Sequence, residues 1–282
     1  MTPRDLLSEA AGRLARAGVP TPEVDAELLL RHVTGRSSSA LLLADAEPAV
    51  DEATAQRFAI AIARREAREP LQLIVGSVGF RYVDIEVRPG VFIPRPETEV
   101  LAGEAIARVP AGGVVVEPCT GTGAIACSVA LESAATTVVA TDVSPAAVAL
   151  AADNARRLGA AITVVKGDLL AAVPVALRGR VDVVVCNPPY LATADLAGRE
   201  PEVVDWDPHD ALVSGPTGSE TTDRLAATAP GWLRAGGWLL MEIDSTRAQS
   251  TASAVEGAGF TDVEIGTDLT GAARFVVGRR GR

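Results

Sequence analysis

The 282 residues exceed one ordinary domain, and with 48% hydrophobic against 22% charged residues the chain can bury a sizeable core and does not read as disordered. A net charge of −10, from 36 acidic against 26 basic residues, argues against a broad phosphate-binding surface and so against a protein that modifies DNA or RNA. Three cysteines without metal-ligand spacing (Cys119, Cys127, Cys186) and two histidines (His32, His209) give no basis for a metal centre.

Met1-Thr2-Pro3-Arg4-Asp5 lacks a signal-peptide core and no apolar run reaches membrane-spanning length, so the expectation is a soluble cytoplasmic protein with reduced thiols. From Pro3 to about Arg68 the pattern is helical. Leu6, Leu7, Ala10 and Leu14 fit one apolar face, Val24, Leu28, Leu29 and His32 a second, and Phe58, Ile60, Ile62 and Ala63 a third. Pro20 and Thr21-Pro22-Glu23 mark a break and a new helix entry. Residues 1–70 are therefore expected to form a small helical domain, too small to be the catalytic body and suited to recognising a substrate. Between Leu71 and Gly90 the period shifts toward strands, which predicts a β-hairpin over 71–92 linking two domains.

Residues 93–282 alternate strand and helix. Strands are predicted at Val114–Glu117, Thr137–Thr141, Ile162–Val165, Val181–Cys186, Trp238–Ile243, Thr261–Glu264 and Arg274–Val277, with helices at Ala124–Glu132 and Pro145–Leu158. This alternation implies an α/β fold, a mostly parallel, doubly wound sheet covered on both faces.

Two strand ends carry chemistry. After Val114-Val115-Val116-Glu117 comes the turn Pro118-Cys119-Thr120-Gly121-Thr122-Gly123, whose glycines let backbone approach a ligand ahead of a helix N-terminus. Asp142, about twenty residues past Gly123, stands where a carboxylate takes ribose hydroxyls. That spacing fits a nicotinamide dinucleotide or S-adenosylmethionine. Glu117 and the Asn187-Pro188-Pro189-Tyr190 strand tip favour the second, because an acid before the turn can hold an ammonium and repels pyrophosphate. Asp168 is placed to accept from an adenine amino group, with Leu169 against the ring; a helix N-cap is the plain alternative.

The second strand end is Asn187-Pro188-Pro189-Tyr190, directly behind the apolar run Val181–Cys186. Asn offers an acceptor oxygen, Pro188 offers a carbonyl without a donor, and Tyr190 can support a planar group. Together they suit a planar nitrogen whose two N–H bonds need acceptors while one face is attacked. The plain alternative is a strand closed by a proline turn.

Over nearly its whole length the chain resembles the HemK/PrmC-like protein-(glutamine-N5) methyltransferases. Ile93-Pro94-Arg95-Pro96-Glu97-Thr98-Glu99, Phe80, Asn187-Pro188-Pro189-Tyr190, Glu242-Ile243 and Asp268–Arg274 carry the likeness. The resemblance implies a seven-stranded Rossmann-like class I methyltransferase sheet, S-adenosylmethionine as cofactor and the glutamine amide of the Gly-Gly-Gln motif of peptide chain release factors as acceptor. It also implies catalytic Asn187, Pro188, Pro189 and Tyr190. The implied cofactor contacts are Glu117, Cys119, Thr120, Gly121, Gly123, Asp142, Asp168, Leu169 and Asn187, and the substrate contacts Arg95, Thr98, Glu99 and Tyr190.

The chain departs from the family pattern in three places: Glu117-Pro118-Cys119 for Asp-Leu-Gly, Trp206-Asp207-Pro208 for an aromatic or His before Glu-Pro, and Gly218-Ser219-Glu220 for Gly-Leu-Asp. The last two motivate a rival, a paralogue that methylates a small amide or guanidine, such as that of free arginine, or another protein glutamine. A non-catalytic binding protein would be expected to lose Asn187, Asp142 or Asp168, and the chain keeps all three.

Overall fold

The computed structural model describes residues 2–37, 50–135 and 137–281, and the chain divides into two compact units. The first comprises Met1–Ser77 together with the distant segment Glu200–Trp206. Among the described residues its N-terminal segment carries α1 (Pro3–Arg16), α2 (Pro22–Thr34), α3 (Glu52–Glu66) and α4 (Leu71–Val75). The expected helical run at 38–49 lies outside the described residues. Each described helix has a local reason to start or stop. Thr2 and Asp5 form a capping box on α1, Asp51 caps α3 through the Thr54 N–H, and Gly35 and Gly76 end α2 and α4 in the left-handed conformation.

Leu14, Leu29, Leu30, Phe58 and Ile62 form the core of this unit. Two of the expected faces are corrected. In α2 the buried positions are Asp25, Ala26, Leu29 and Leu30, while Val24 is exposed; in α3 Ala61 and Arg65 are buried, while Ile60 is exposed. The cause is a buried ion pair. Arg65 Nε donates to Asp25 Oδ2 at 2.7 Å, so each helix turns a charged residue inward where apolar periodicity expects none. Arg65 also donates to Glu202 Oε1 at 2.8 Å, and Arg68 grips the same carboxylate through Nε at 2.7 Å. Glu202 belongs to the short helix α8 (Pro201–Val204), and these bonds bring 200–206 into the first unit. Leu71–Val75 is helical rather than the start of the strand region.

The second unit comprises Val78–Arg199 and Asp207–Arg282. It opens with a hairpin of β1 (Ser77–Phe80) and β2 (Val83–Glu86), followed by α5 (Thr98–Arg108). Next come β3 (Val114–Pro118), α6 (Ala124–Glu132), β4 (Thr137–Asp142), α7 (Pro145–Leu158), β5 (Thr163–Lys166) and β6 (Val181–Cys186). After a small pair, β7 (Leu191–Ala192) and β8 (Val213–Gly215), with α9 (His209–Leu212) before β8, follow α10 (Glu220–Thr228), β9 (Leu233–Glu242) and α11 (Ala248–Gly257). Strands β10 (Phe260–Thr267) and β11 (Ala273–Arg280) close the fold.

The main sheet has seven strands in the order β10-β11-β9-β6-β3-β4-β5. The run from β9 to β5 is parallel, and β11 is antiparallel to both neighbours. Alternation splits the core. Val115, Val183 and Leu240 pack with α5 and α6 on one face, while Val116, Val184 and Leu239 pack with Leu225 of α10 and Val255 of α11 on the other. Phe80 and Ile85 of the hairpin lie in the first of these layers. From β3 the chain winds outward through β4 and β5, then returns to place β6 on the other flank of β3. The topological switch point, where such sheets bind ligands, therefore lies between the ends of β3 and β6. Among the described residues no helix is long and apolar enough to cross a membrane.

Candidate active site

The turn after β3 is built tightly. Cys119, Gly121 and Gly123 all adopt positive φ, at 56°, 55° and 81°. A Cβ on Gly121 would meet nothing within 4 Å, so this backbone faces open space at the switch point. Gly123 differs. A Cβ there would stand 3.1 Å from that of Ala151, so the glycine lets α6 approach α7 closely.

Glu117, at the end of β3, is buried, and its Oε2 accepts from Thr120 Oγ1 at 2.6 Å and from the Ala126 N–H at 2.9 Å. The carboxylate thus braces the turn onto the first turn of α6. Burial pushes its pKa up to about 8 against the pull of those two hydrogen bonds. Asp142, at the tip of β4, receives the Gly121 N–H on Oδ2 and the Ser144 N–H on Oδ1, both at 2.9 Å. Each oxygen keeps lone-pair capacity, which suits a pair of hydroxyls.

Asp168 follows β5 and makes no cap; it is half exposed and pairs with Arg224 of α10. Leu169 is buried with φ 47°, a costly conformation for a branched residue, and Thr141 Oγ1 donates to its carbonyl at 2.7 Å. Asn154, fully buried, reaches both the glycine turn and the hairpin. Its Nδ2 donates to the Thr122 and Glu86 carbonyls at 3.0 Å, and its Oδ1 accepts the Glu86 N–H at 2.9 Å. The hairpin is thereby bound to the glycine turn.

Across the switch point β6 ends at Cys186, whose thiol donates to the Pro118 carbonyl at 3.1 Å. Asn187 is half-buried and Pro188 buried. Asn187 Nδ2 donates to Thr98 Oγ1 at 3.3 Å, and Thr98 Oγ1 donates to Glu242 Oε2 at 2.7 Å. Tyr190 donates its phenol proton to Glu242 Oε1 at 3.2 Å. Burial and Glu242 push the phenol well above its ordinary range, so Tyr190 stays a donor. Burial raises Glu242 to about 7, opposed by the Thr98 bond and by Arg274.

The expected substrate residues divide. Thr98 joins Asn187 directly and Tyr190 through Glu242. Arg95 instead stacks over Phe92 at 5.0 Å and pairs with buried Asp207, which also accepts the Ile93 N–H. Asp207 thus takes up the position where the sequence departs from the family, and it anchors the 93–95 segment. Glu99 is half-buried, with its carbonyl receiving Arg81 Nη1 at 3.1 Å.

Glu242 is absent from the expected site residues. Its sequence signals are the Glu242-Ile243 match to the family pattern and a lone acid closing the apolar run Trp238-Leu239-Leu240-Met241, at the carboxyl end of β9, the end at which such sheets bind ligands.

A family model described as the PrmC N-terminal domain matches residues 5–76, and one described as the methyltransferase small domain matches residues 88–199. A protein of Mycolicibacterium smegmatis named release factor glutamine methyltransferase is 42% identical over 281 residues, covering 98% of this chain and 97% of that protein. One of the same name from Deinococcus radiodurans is 43% identical over 280 residues, covering 98% of each. The crystal structure of a methyltransferase from Pyrococcus furiosus shares the fold, with a TM-score of 0.54 and 20% identity over 71% of this chain and 90% of that one.

Proposed function

This chain belongs to the release factor glutamine methyltransferase family, and from that premise we propose that it transfers the methyl group of S-adenosylmethionine to the side-chain amide of a glutamine in a peptide chain release factor. The observation that carries the reading is the fixed carboxamide of Asn187, held through Nδ2 beside two donor-free prolines at the switch point.

The residues fit the cofactor. Gly121 opens a backbone cradle, and Asp142 presents two positioned oxygens for a ribose diol. Asp168 and Leu169, after β5, are assigned to the adenine. Glu117, Cys119, Thr120 and Gly123 shape the turn. When bound, S-adenosylmethionine supplies an electrophilic methyl group on a sulfonium.

The chain's own task is to present the nitrogen. An amide nitrogen is a poor nucleophile because its lone pair is delocalised. Asn187 Oδ1 and the Pro188 carbonyl accept its two N–H bonds and hold one face toward the methyl. Both acceptors are neutral, so they orient the N–H bonds without removing a proton before the methyl arrives; as the N–CH₃ bond formed and the S–CH₃ bond broke to leave a thioether, the methylated nitrogen would shed one N–H proton to solvent. Positioning of this kind can supply much of the rate without a strong base. Tyr190 supports the amide plane, and the first unit, with 200–206, recognises the acceptor protein.

The test is transfer of labelled methyl to a release factor, to the same factor with its Gly-Gly-Gln glutamine replaced by alanine, and to free arginine. Label on the first alone is the expected result. Label on arginine and not on the release factor would overturn the assignment.

A further inference from the structure

We propose that Glu242 is a positioning residue: by taking the Thr98 hydroxyl proton it obliges that oxygen to accept from Asn187 Nδ2, and so leaves Asn187 Oδ1 to receive the acceptor amide. The inference rests on the reading of Asn187 as the clamp.

The argument is one of proton direction. A carboxamide can be turned over with little change of shape, which exchanges its acceptor and donor ends. The clamp needs the acceptor end toward the substrate. A threonine hydroxyl alone cannot enforce this, because it donates or accepts equally well. An ionised carboxylate only accepts. With Glu242 Oε2 at 2.7 Å, the Thr98 proton is committed, and the oxygen that remains can only accept, from Asn187 at 3.3 Å. The second carboxylate oxygen receives the Tyr190 phenol, so one buried acid sets both ends of Asn187-Pro188-Pro189-Tyr190. Thr98 is 3% exposed and Glu242 1% exposed, so bulk water does not supply a competing donor.

The charged and titratable groups facing Glu242 come from three directions. Glu97 lies beside Thr98 at the start of α5, Tyr190 follows β6, and Arg274 stands on β11, the strand paired with β9. Asp268 holds Arg274 by Nε at 3.1 Å and Nη2 at 2.9 Å. The arginine charge favours ionised Glu242, and Glu97 opposes it.

The sequence makes a direct readout available, because Asn154 and Asn187 are its only two asparagines. Protein labelled with ¹⁵N in asparagine side chains therefore gives two NH₂ pairs, told apart by the Asn187→Asp variant. In the full-length protein, Thr98→Val is expected to shift the Asn187 pair and leave the Asn154 pair in place. It should lower kcat on the release factor about 10- to 100-fold while cofactor Kd stays within about twofold. Thr98→Ser, which keeps the hydroxyl, should recover most of that rate. In the parent protein the Asn187 pair should titrate with Glu242, and in Glu242→Gln that titration should vanish. An Asn187 pair unmoved by Thr98→Val, with no titration in the parent protein, would overturn the proposal. The two readings fail separately: a protein that labels no release factor yet shows these shifts loses the substrate assignment and keeps the relay.

Discussion

Asp142 and Gly121 are joined by a 2.9 Å hydrogen bond from the glycine N–H to the aspartate Oδ2, so the tip of β4 and the glycine turn after β3 hold one another in place. The same carboxylate is thus both a brace and the assigned ribose ligand. Replacing Asp142 by Ala should weaken S-adenosylmethionine binding by more than one lost contact would, because the turn loosens too. Hydrogen bonds to charged groups contribute about 1.5–3 kcal/mol, or roughly 10- to 150-fold in Kd. Calorimetry checks this; unchanged affinity removes Asp142 from the site.

At the other strand end, Asn187→Ala should abolish most methyl transfer and leave cofactor affinity within a few-fold. Asn187→Asp is more discriminating. It keeps an acceptor oxygen but loses the Nδ2 donor to Thr98, and its charge would face an amide carbonyl. On a glutamine acceptor it should be nearly inactive, whereas a cationic guanidine would tolerate it. Single-turnover transfer with each acceptor separates these outcomes, and full activity of the Ala variant would remove Asn187 from the clamp.

Two buried carboxyls are raised far enough to titrate near neutral pH. Glu242 is raised to about 7 and Glu117 to about 8, from ordinary values near 4.5. A raised folded-state pKa means the folded protein binds more protons between those limits. Their contribution to stability is therefore full below about 4.5 and lost as pH rises through 7 and 8. Activity runs the other way, since the relay requires ionised Glu242. Denaturant titration of Glu117→Gln and Glu242→Gln against the parent from pH 5 to 9 should show a flatter stability profile in each variant. The parent's kcat should rise through about pH 7 while that of Glu242→Gln does not.

The carboxylate of Glu202 has the opposite sign. Arg68 and Arg65 hold it at about 2, below its ordinary value, despite burial. Its stabilisation is present above about 4.5 and fades as pH falls toward 2. Breaking a buried pair by removing one partner costs about 3–5 kcal/mol, and partial exposure of Glu202 brings the expectation for Glu202→Ala to about 2 kcal/mol. Thermal or urea unfolding at pH 7 measures it, and a loss below about 0.5 kcal/mol would mean the arginines repartner with Asp25 and Glu69.

How far the sequence reveals this structure depends on whether the deciding interaction is local. The strands of the main sheet are legible because runs such as Val181–Cys186 are β-branched and end at turn residues. Helices α6 and α7 are legible for similar reasons, bounded by Gly123 and by Ser144-Pro145 before and Gly159 after. The faces of α2 and α3 are not, because Asp25 and Arg65 point inward for the sake of each other. Nor does any pattern assign 200–206 to the first unit, since its contact with Arg65 spans 137 residues. Of the residues assigned to the site, Asn187, Asp142 and Gly121 can be proposed from type and position alone. Glu242 cannot, because its meaning lies in a hydroxyl 144 residues away.

The discontinuity of the first unit orders events during synthesis. Arg65 leaves the ribosome well before Glu202, and at ordinary elongation rates of about 5–20 residues per second the intervening stretch takes on the order of ten seconds to emerge. Over that interval Asp25 is the acid that keeps the Arg65 charge from being buried alone. The helical unit can therefore form a provisional core early, and its final closure waits until β6 and Asn187-Pro188-Pro189-Tyr190 have already been made.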